Sequence, residues 1–224
     1  MNRIQKLYDR LLAKHGPQGW WPLLELHRRK SGVNPTKTGS INGYHPGDYS
    51  YPKTHAQRFE ICTGAILTQN TAWPNVEKAL INLKRHNILD AKKLLDADEN
   101  LVEECIRPAG YYNQKTRKLR VFARFYLAQK EKIPTRNELL ALWGIGPETA
   151  DSILLYAYKQ PAFVVDTYTK RIFSREKLIP ASASYDAVKK LCERSLPQNA
   201  EMYQEFHALL VEEGKHQGVY VRKP

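Results

Sequence analysis

The sequence is short of cysteine, of acidic side chains relative to basic ones, and of long apolar runs. Its three cysteines, Cys62, Cys105 and Cys192, stand far apart and form no CxxC pair. Neither a zinc site nor a disulfide framework is legible, and each thiol sits among apolar neighbours, as a small core residue does. No stretch approaches the ~20 apolar residues of a membrane-spanning helix. The opening MNRIQKLYDRLLAKHG is amphipathic and lacks the apolar core of a secretion signal. These absences predict a soluble, intracellular protein. Alternating strand patterns and internal repeats are missing too, so the fold is read as all-α.

What is present is positive charge. Thirty-five Lys and Arg against 23 Asp and Glu give a formal charge of +12 over 224 residues, enough chain for one large domain or two small ones. The excess is spread through helices, as at Lys78, Lys84, Arg85, Lys115, Arg117, Lys118 and Arg120. A basic folded protein suits a polyanionic partner, nucleic acid above all, although solubility alone can also enrich lysine.

Apolar spacing predicts a first helix over residues 2–15, stopped by Gly16-Pro17, with Trp20-Trp21-Pro22 following. Residues 28–54 read as an irregular polar loop, in which Tyr44, Tyr49, Tyr51 and Lys53 suit either surface packing or contact with a ligand. A strong apolar helix is expected from Arg58, then helices from about Pro74, Asp90 and Leu101. A turn at Arg107–Gly110 opens a basic helix through Leu127, and Tyr185–Ser195 and Met202–Glu213 are amphipathic. The tail Gly218–Pro224 reads as basic and frayed.

The most informative stretch is Leu139–Arg175. Leu139, Leu140, Leu142 and Trp143 end one helix, Gly144-Ile145-Gly146 turns, and Pro147 starts a second helix with Ala150, Ile153, Leu154 and Ala157 as its buried stripe. Pro161 breaks the chain, Phe163-Val164-Val165 buries it, and Asp166 opens a further helix. Local rules alone make the glycine pair a helix joint and Asp166 a structural cap.

Taken whole, this order of Gly hairpin, Pro loop and Asp resembles the helix-hairpin-helix/Gly-Pro-Asp DNA glycosylases, the endonuclease III superfamily. The strings GAILTQNTAWPNVEKAL and RPAGYYNQKTRKL resemble that superfamily as well, so the likeness covers about residues 56–215. It implies two helical domains. A six-helix barrel would span residues 55–165, with the helix-hairpin-helix at about 135–158. A second domain would be built from residues 1–27 and 166–224. Double-stranded DNA with a damaged base would lie between them, bound by a monomer, which in a prokaryote would be cytoplasmic and nucleoid-associated.

Two departures narrow the likeness. The four closely spaced cysteines that hold an iron–sulfur cluster in endonuclease III-type enzymes are missing from EEGKHQGVYVRKP, so no cluster, metal or other cofactor is expected. Where lyase-active members carry a lysine, this chain has Glu148. A carboxylate forms no Schiff base. Both departures resemble the iron–sulfur-free 3-methyladenine DNA glycosylases. That resemblance implies a base pocket of Trp20, Trp21, Pro22 and Trp73, with Phe59 and Lys215 as further members. It implies Asp166 as the catalytic carboxylate and Gln69 or Asn70 as the plug that fills the vacated base stack. Gly144, Ile145, Gly146 and Thr149 would bind the DNA backbone.

Residue rules still leave Trp20, Trp21 and Phe59 readable as core, Asn70 as a helix cap, Lys215 as a surface lysine and His207 as a packed helix residue. The expected function is excision of N-alkylated purines by base flipping. The alternatives are excision of mismatched or oxidised bases on the same scaffold, or DNA binding without catalysis.

Overall fold

The computed structural model of the protein describes residues 2–28 and 43–216. Residues 29–42 of the expected loop, and the tail Gly218–Pro224, lie outside the described residues. Among the described residues there is no strand. The helices are α1 (Arg3–His15), α2 (His55–Leu67), α3 (Trp73–Arg85), α4 (Ala91–Asp96), α5 (Glu99–Ile106), α6 (Tyr112–Gln129), α7 (Arg136–Leu140), α8 (Pro147–Ser152), α9 (Thr167–Arg175), α10 (Tyr185–Ser195) and α11 (Ala200–His216). None of them is long and apolar enough to cross a membrane.

Helix α2 is the centre of the packing. It starts at His55 rather than Arg58, because Thr54 and Gln57 form a reciprocal capping box that extends the helix beyond its apolar pattern. From Phe59 to Leu67 every residue is buried, so that stretch of the helix has no exposed face. Against it lie α3, α6 and the continuation of α8, a single π-helical turn at Ile153–Ala157. The predicted stripe of Ala150, Ile153, Leu154 and Ala157 is buried, and so are Leu155 and Tyr156, because α11 covers the side away from α2. Helix α1 packs on α11 and α10, and α9 packs on α11.

Phe59 does not reach the pocket expected for it. Its ring is 2 % exposed and meets Tyr126 at 5.2 Å and Phe122 at 6.5 Å, on the side of α2 that faces α6.

The approach to Asp166 is fixed by α10. Phe163, Val164 and Val165 are buried in an extended segment whose N–H groups cannot pair within a helix. Glu193 accepts from the Phe163 N–H at 3.0 Å, and the Tyr185 hydroxyl accepts from the Val165 N–H at 3.4 Å. Tyr185 also donates to Asp151, a fully buried carboxylate on α8 that Arg136 and Lys189 neutralise. One buried charge cluster therefore ties α7, α8 and α10 to the residue before Asp166. Losing either cation alone leaves Asp151 the other, whereas losing both would leave a buried charge uncompensated, typically costing about 3–5 kcal/mol.

Candidate active site

A cavity of about 220 Å3 opens between the N-terminal Trp-Trp-Pro segment, the turn after α2, and helices α8, α9 and α11. Its aromatic wall is Trp20, Trp21, Tyr44 and Trp73; its polar wall includes Glu148, Asp166, Tyr168, His207 and Lys215, and Pro22 completes the floor. All expected pocket residues except Phe59 converge here. Tyr44, Tyr168 and His207 were not expected in the lining. Tyr44 arrives because residues 43–45 run beside residues 19–23, with the His45 N–H donating to the Gly19 carbonyl and the Leu23 N–H to the Gly43 carbonyl. The tyrosines of this loop turn inward: Tyr44 and Tyr51 are buried, and the Tyr49 hydroxyl donates to Glu205.

The tryptophans brace one another. Trp21 meets Trp73 edge-on at 5.4 Å and Trp20 at 6.1 Å, while Trp20 meets His207 edge-on at 5.6 Å. Trp21 lies against α2 at Gly64, where a Cβ would stand 3.1 Å from the indole nitrogen. Glycine in a helix interior costs about 1 kcal/mol relative to alanine, and here it makes room for the ring.

Asp166 is the N-cap of α9. Its Oδ1 accepts from the Thr169 N–H at 2.7 Å, and Oδ2 stands 3.8 Å from His207 Nε2. The His207 Nδ1 lies 2.7 Å from the Tyr156 hydroxyl. Burial lowers the pKa of His207, with the Asp166 charge opposing, so the ring is neutral at neutral pH. The Tyr156 hydroxyl also donates to the Gln204 carbonyl at 3.2 Å, so the imidazole is held between Tyr156 on one side and Asp166 on the other. Glu148 stands at the cavity rim. Burial on its inner side, and then the Asp166 charge, push its pKa up, while water on its outer side limits the rise. Burial lowers the pKa of Lys215, against the pull of Glu212 and Asp166. Its ammonium lies 5.9 Å from the Trp20 ring centroid.

The turn after α2 separates Gln69 from Asn70. The Gln69 amide is fully engaged: Nε2 donates to the Gly144 carbonyl at 3.0 Å and to Thr149 Oγ1 at 2.9 Å, and Oε1 accepts from Lys118. Gln69 thus locks the turn to the hairpin. Asn70 is exposed at the tip with φ +54°. A second exposed tip, Tyr111, has φ +48° and is 68 % exposed. Buried Lys115 links the two tips, donating to the Leu67 carbonyl at 2.8 Å, to Thr71 Oγ1 at 2.6 Å and to the Ala109 carbonyl at 2.8 Å.

In the hairpin, Gly144 has φ +83°, which favours glycine. Among the described residues the N–H groups of Gly144 and Gly146 meet no acceptor. Ile145 differs from the expectation. Its side chain is buried and its N–H donates to the Leu142 carbonyl at 3.1 Å, so it holds the turn together. Thr149 is buried as well, with its hydroxyl taken by Gln69.

Residues 63–198 match the model of the HhH-GPD superfamily base excision DNA repair proteins. The chain belongs to this superfamily. It is 40 % identical over 223 residues to a candidate DNA repair glycosylase of Methanocaldococcus jannaschii, covering 95 % of this chain and 87 % of that relative. It resembles the crystal structure of the H. pylori 3-methyladenine DNA glycosylase bound to 1,N6-ethenoadenine, with TM-score 0.63, 32 % identity, and 75 % and 89 % of the two chains covered. A trapped endonuclease III–DNA covalent intermediate shares the fold, with TM-score 0.70 at 19 % identity over 96 % of this chain and 88 % of the other. The protein is a DNA repair glycosylase of the HhH-GPD family.

Proposed function

We propose that this HhH-GPD glycosylase is monofunctional and excises N-alkylated purines, 3-methyladenine first among them, from double-stranded DNA. The observation that carries the reading is a cavity walled by three tryptophans with the Asp166 carboxylate at its edge. Its 220 Å3 is several times the ~30 Å3 share of one liquid water, room for a flipped heterocycle. An alkylated purine is cationic, and a stacked ring contributes roughly 0.5–2 kcal/mol to holding a cation. The related H. pylori enzyme supports this specificity, since 3-methyladenine is its named substrate.

In the proposed reaction Asn70 enters the stack as the base leaves, and Tyr111 is a second inserting tip. Gly144 and Gly146 hold a phosphate with their open N–H groups. The C1′–N bond breaks and its electron pair goes to the alkylated base, whose positive charge makes it a good leaving group. Asp166 stabilises the oxocarbenium-like sugar, and water adds at C1′ to leave an abasic site and a proton. The Thr169 amide holds the carboxylate in place, and His207, positioned by Tyr156, limits its movement.

No Schiff base forms at Glu148, so strand cleavage is not part of the reaction. Three cysteines are too few for a four-thiolate cluster, and the protein works without an iron–sulfur cofactor. It acts as a monomer, with α2–α8 and the terminal helices α1 and α9–α11 as its two domains. Randomly methylated duplex DNA tests the reading: released 3-methyladenine, with strand breaks only after alkali, is the expected result.

A further inference from the structure

The surface beside the hairpin carries a feature that the base-excision chemistry does not use. Trp143 precedes Gly144 and was expected to end the first hairpin helix. Instead α7 stops at Leu140, and the indole stands on the turn, 44 % exposed. Over it lies Arg117 of α6, with its guanidinium carbon 4.1 Å from the ring centroid. That spacing is a close cation–π stack. Arg117 is exposed, and among the described residues it has no hydrogen bond and no carboxylate partner. Arg10 and Arg136, by contrast, are paired with acids.

The neighbouring residue fixes the geometry. The Lys118 stem lies where a Cβ on Gly144 would stand, 2.6–2.8 Å from its carbons, and its ammonium donates to Gln69. Consecutive residues of α6 thus flank one turn, with Lys118 engaged on its inner side and Arg117 unengaged on its outer side. A guanidinium held over a ring has already lost much of its rotamer freedom, and its N–H fork suits a phosphate. The adjacent N–H groups of Gly144 and Gly146 are open to an anion as well.

We propose that Arg117, held over Trp143, grips a second phosphate of duplex DNA next to the one at the hairpin. The inference rests on the DNA-repair reading above and adds to it an anchor that makes no contact with the base.

The test is fluorescence anisotropy of the full chain with a labelled, undamaged duplex over a series of salt concentrations. Arg117→Gln should reduce the salt slope of log K by about 0.9, one phosphate contact. It should also weaken binding about tenfold, the size of one charge-assisted hydrogen bond. Arg117→Lys should keep the slope. Trp143→Ala should keep the slope and weaken binding about two- to fivefold. The same change in the Arg117→Gln background should do nothing further, and Trp143→Phe should restore affinity. An unchanged slope in Arg117→Gln, with the parent protein binding normally, would overturn the proposal. So would a Trp143→Ala loss that persists in full without Arg117. Failure of the parent protein to bind duplex DNA would instead overturn the underlying DNA reading, and it would be seen before any variant is compared.

Discussion

Gly214 on α11 should be intolerant of a single methyl group, although alanine is the better helix former. A Cβ there would stand 2.1 Å from Tyr168 Cδ1, 2.8 Å from Cγ and 3.0 Å from Cβ, where ordinary contact begins at 3.4 Å. Cδ1, Cγ and Cβ lie along one edge of the side chain, so a rotamer flip of the far end of a flexible chain cannot relieve the clash. Either α11 or the ring must move. Forced overpacking costs about 1–3 kcal/mol. Alanine returns about 1 kcal/mol of helix propensity. The net loss is about 1 kcal/mol, and at this chain length it lowers Tm by about 2–4 °C. Base excision should fall by more than stability does, because Tyr168 lines the cavity and Lys215 is the next residue on α11. Thermal unfolding of Gly214→Ala, Tyr168→Ala and the double variant checks the argument. In the Tyr168→Ala background the 2.1 and 2.8 Å contacts are gone and only the 3.0 Å contact with the residue-168 Cβ remains, so Gly214→Ala should no longer lower Tm. A higher Tm for Gly214→Ala in the parent protein would refute the reasoning.

Asp166→Asn keeps the cap, since asparagine caps as well as aspartate. It should leave Tm and duplex binding nearly unchanged while base release falls by about 10²–10³, the size of losing one electrostatic stabiliser; unchanged excision would remove Asp166 from the mechanism. Borohydride treatment of protein with abasic DNA should trap no covalent adduct, whereas Glu148→Lys should yield one, read as a shifted band on a denaturing gel. Burial alone would raise the Glu213 pKa, but hydrogen bonds from Lys14 and His15 outweigh it and hold the group at about 2. A depressed carboxyl stabilises the fold above its unfolded pKa and loses that stabilisation as pH falls. Urea unfolding should therefore show about 1–2 kcal/mol lost between pH 4.5 and 2, a modest figure because Lys14 is half exposed, and Glu213→Gln should flatten that limb.

The features legible in the sequence were those written locally. Asp90 and Asp166 announce helix starts, and each caps one in the fold. The glycine turn at residues 144–146 and the apolar approach to Asp166 were equally readable. What escaped was set by distant partners. The capping box of Thr54 and Gln57 lies in polar sequence, so the apolar pattern began α2 too late. Because α2 is buried all round, periodicity could not tell which ring faces the cavity, and Phe59 was drawn to the wrong side. Tyr44 reaches the lining by pairing with a segment more than 20 residues away. Gln69 and Asn70 are adjacent and chemically alike. Only the contacts of Gln69 with Gly144, Thr149 and Lys118, some 50 to 80 residues distant, tell them apart. His207 read as a packed helix residue because Tyr156 and Asp166 meet it from other elements.

The central claim is best tested by separating and identifying the bases released from randomly methylated duplex DNA, with parallel gels run before and after alkali. Release of 3-methyladenine, with strand breaks appearing only after alkali, is the predicted result. Absence of any released methylpurine from protein that binds the same duplex would contradict the account.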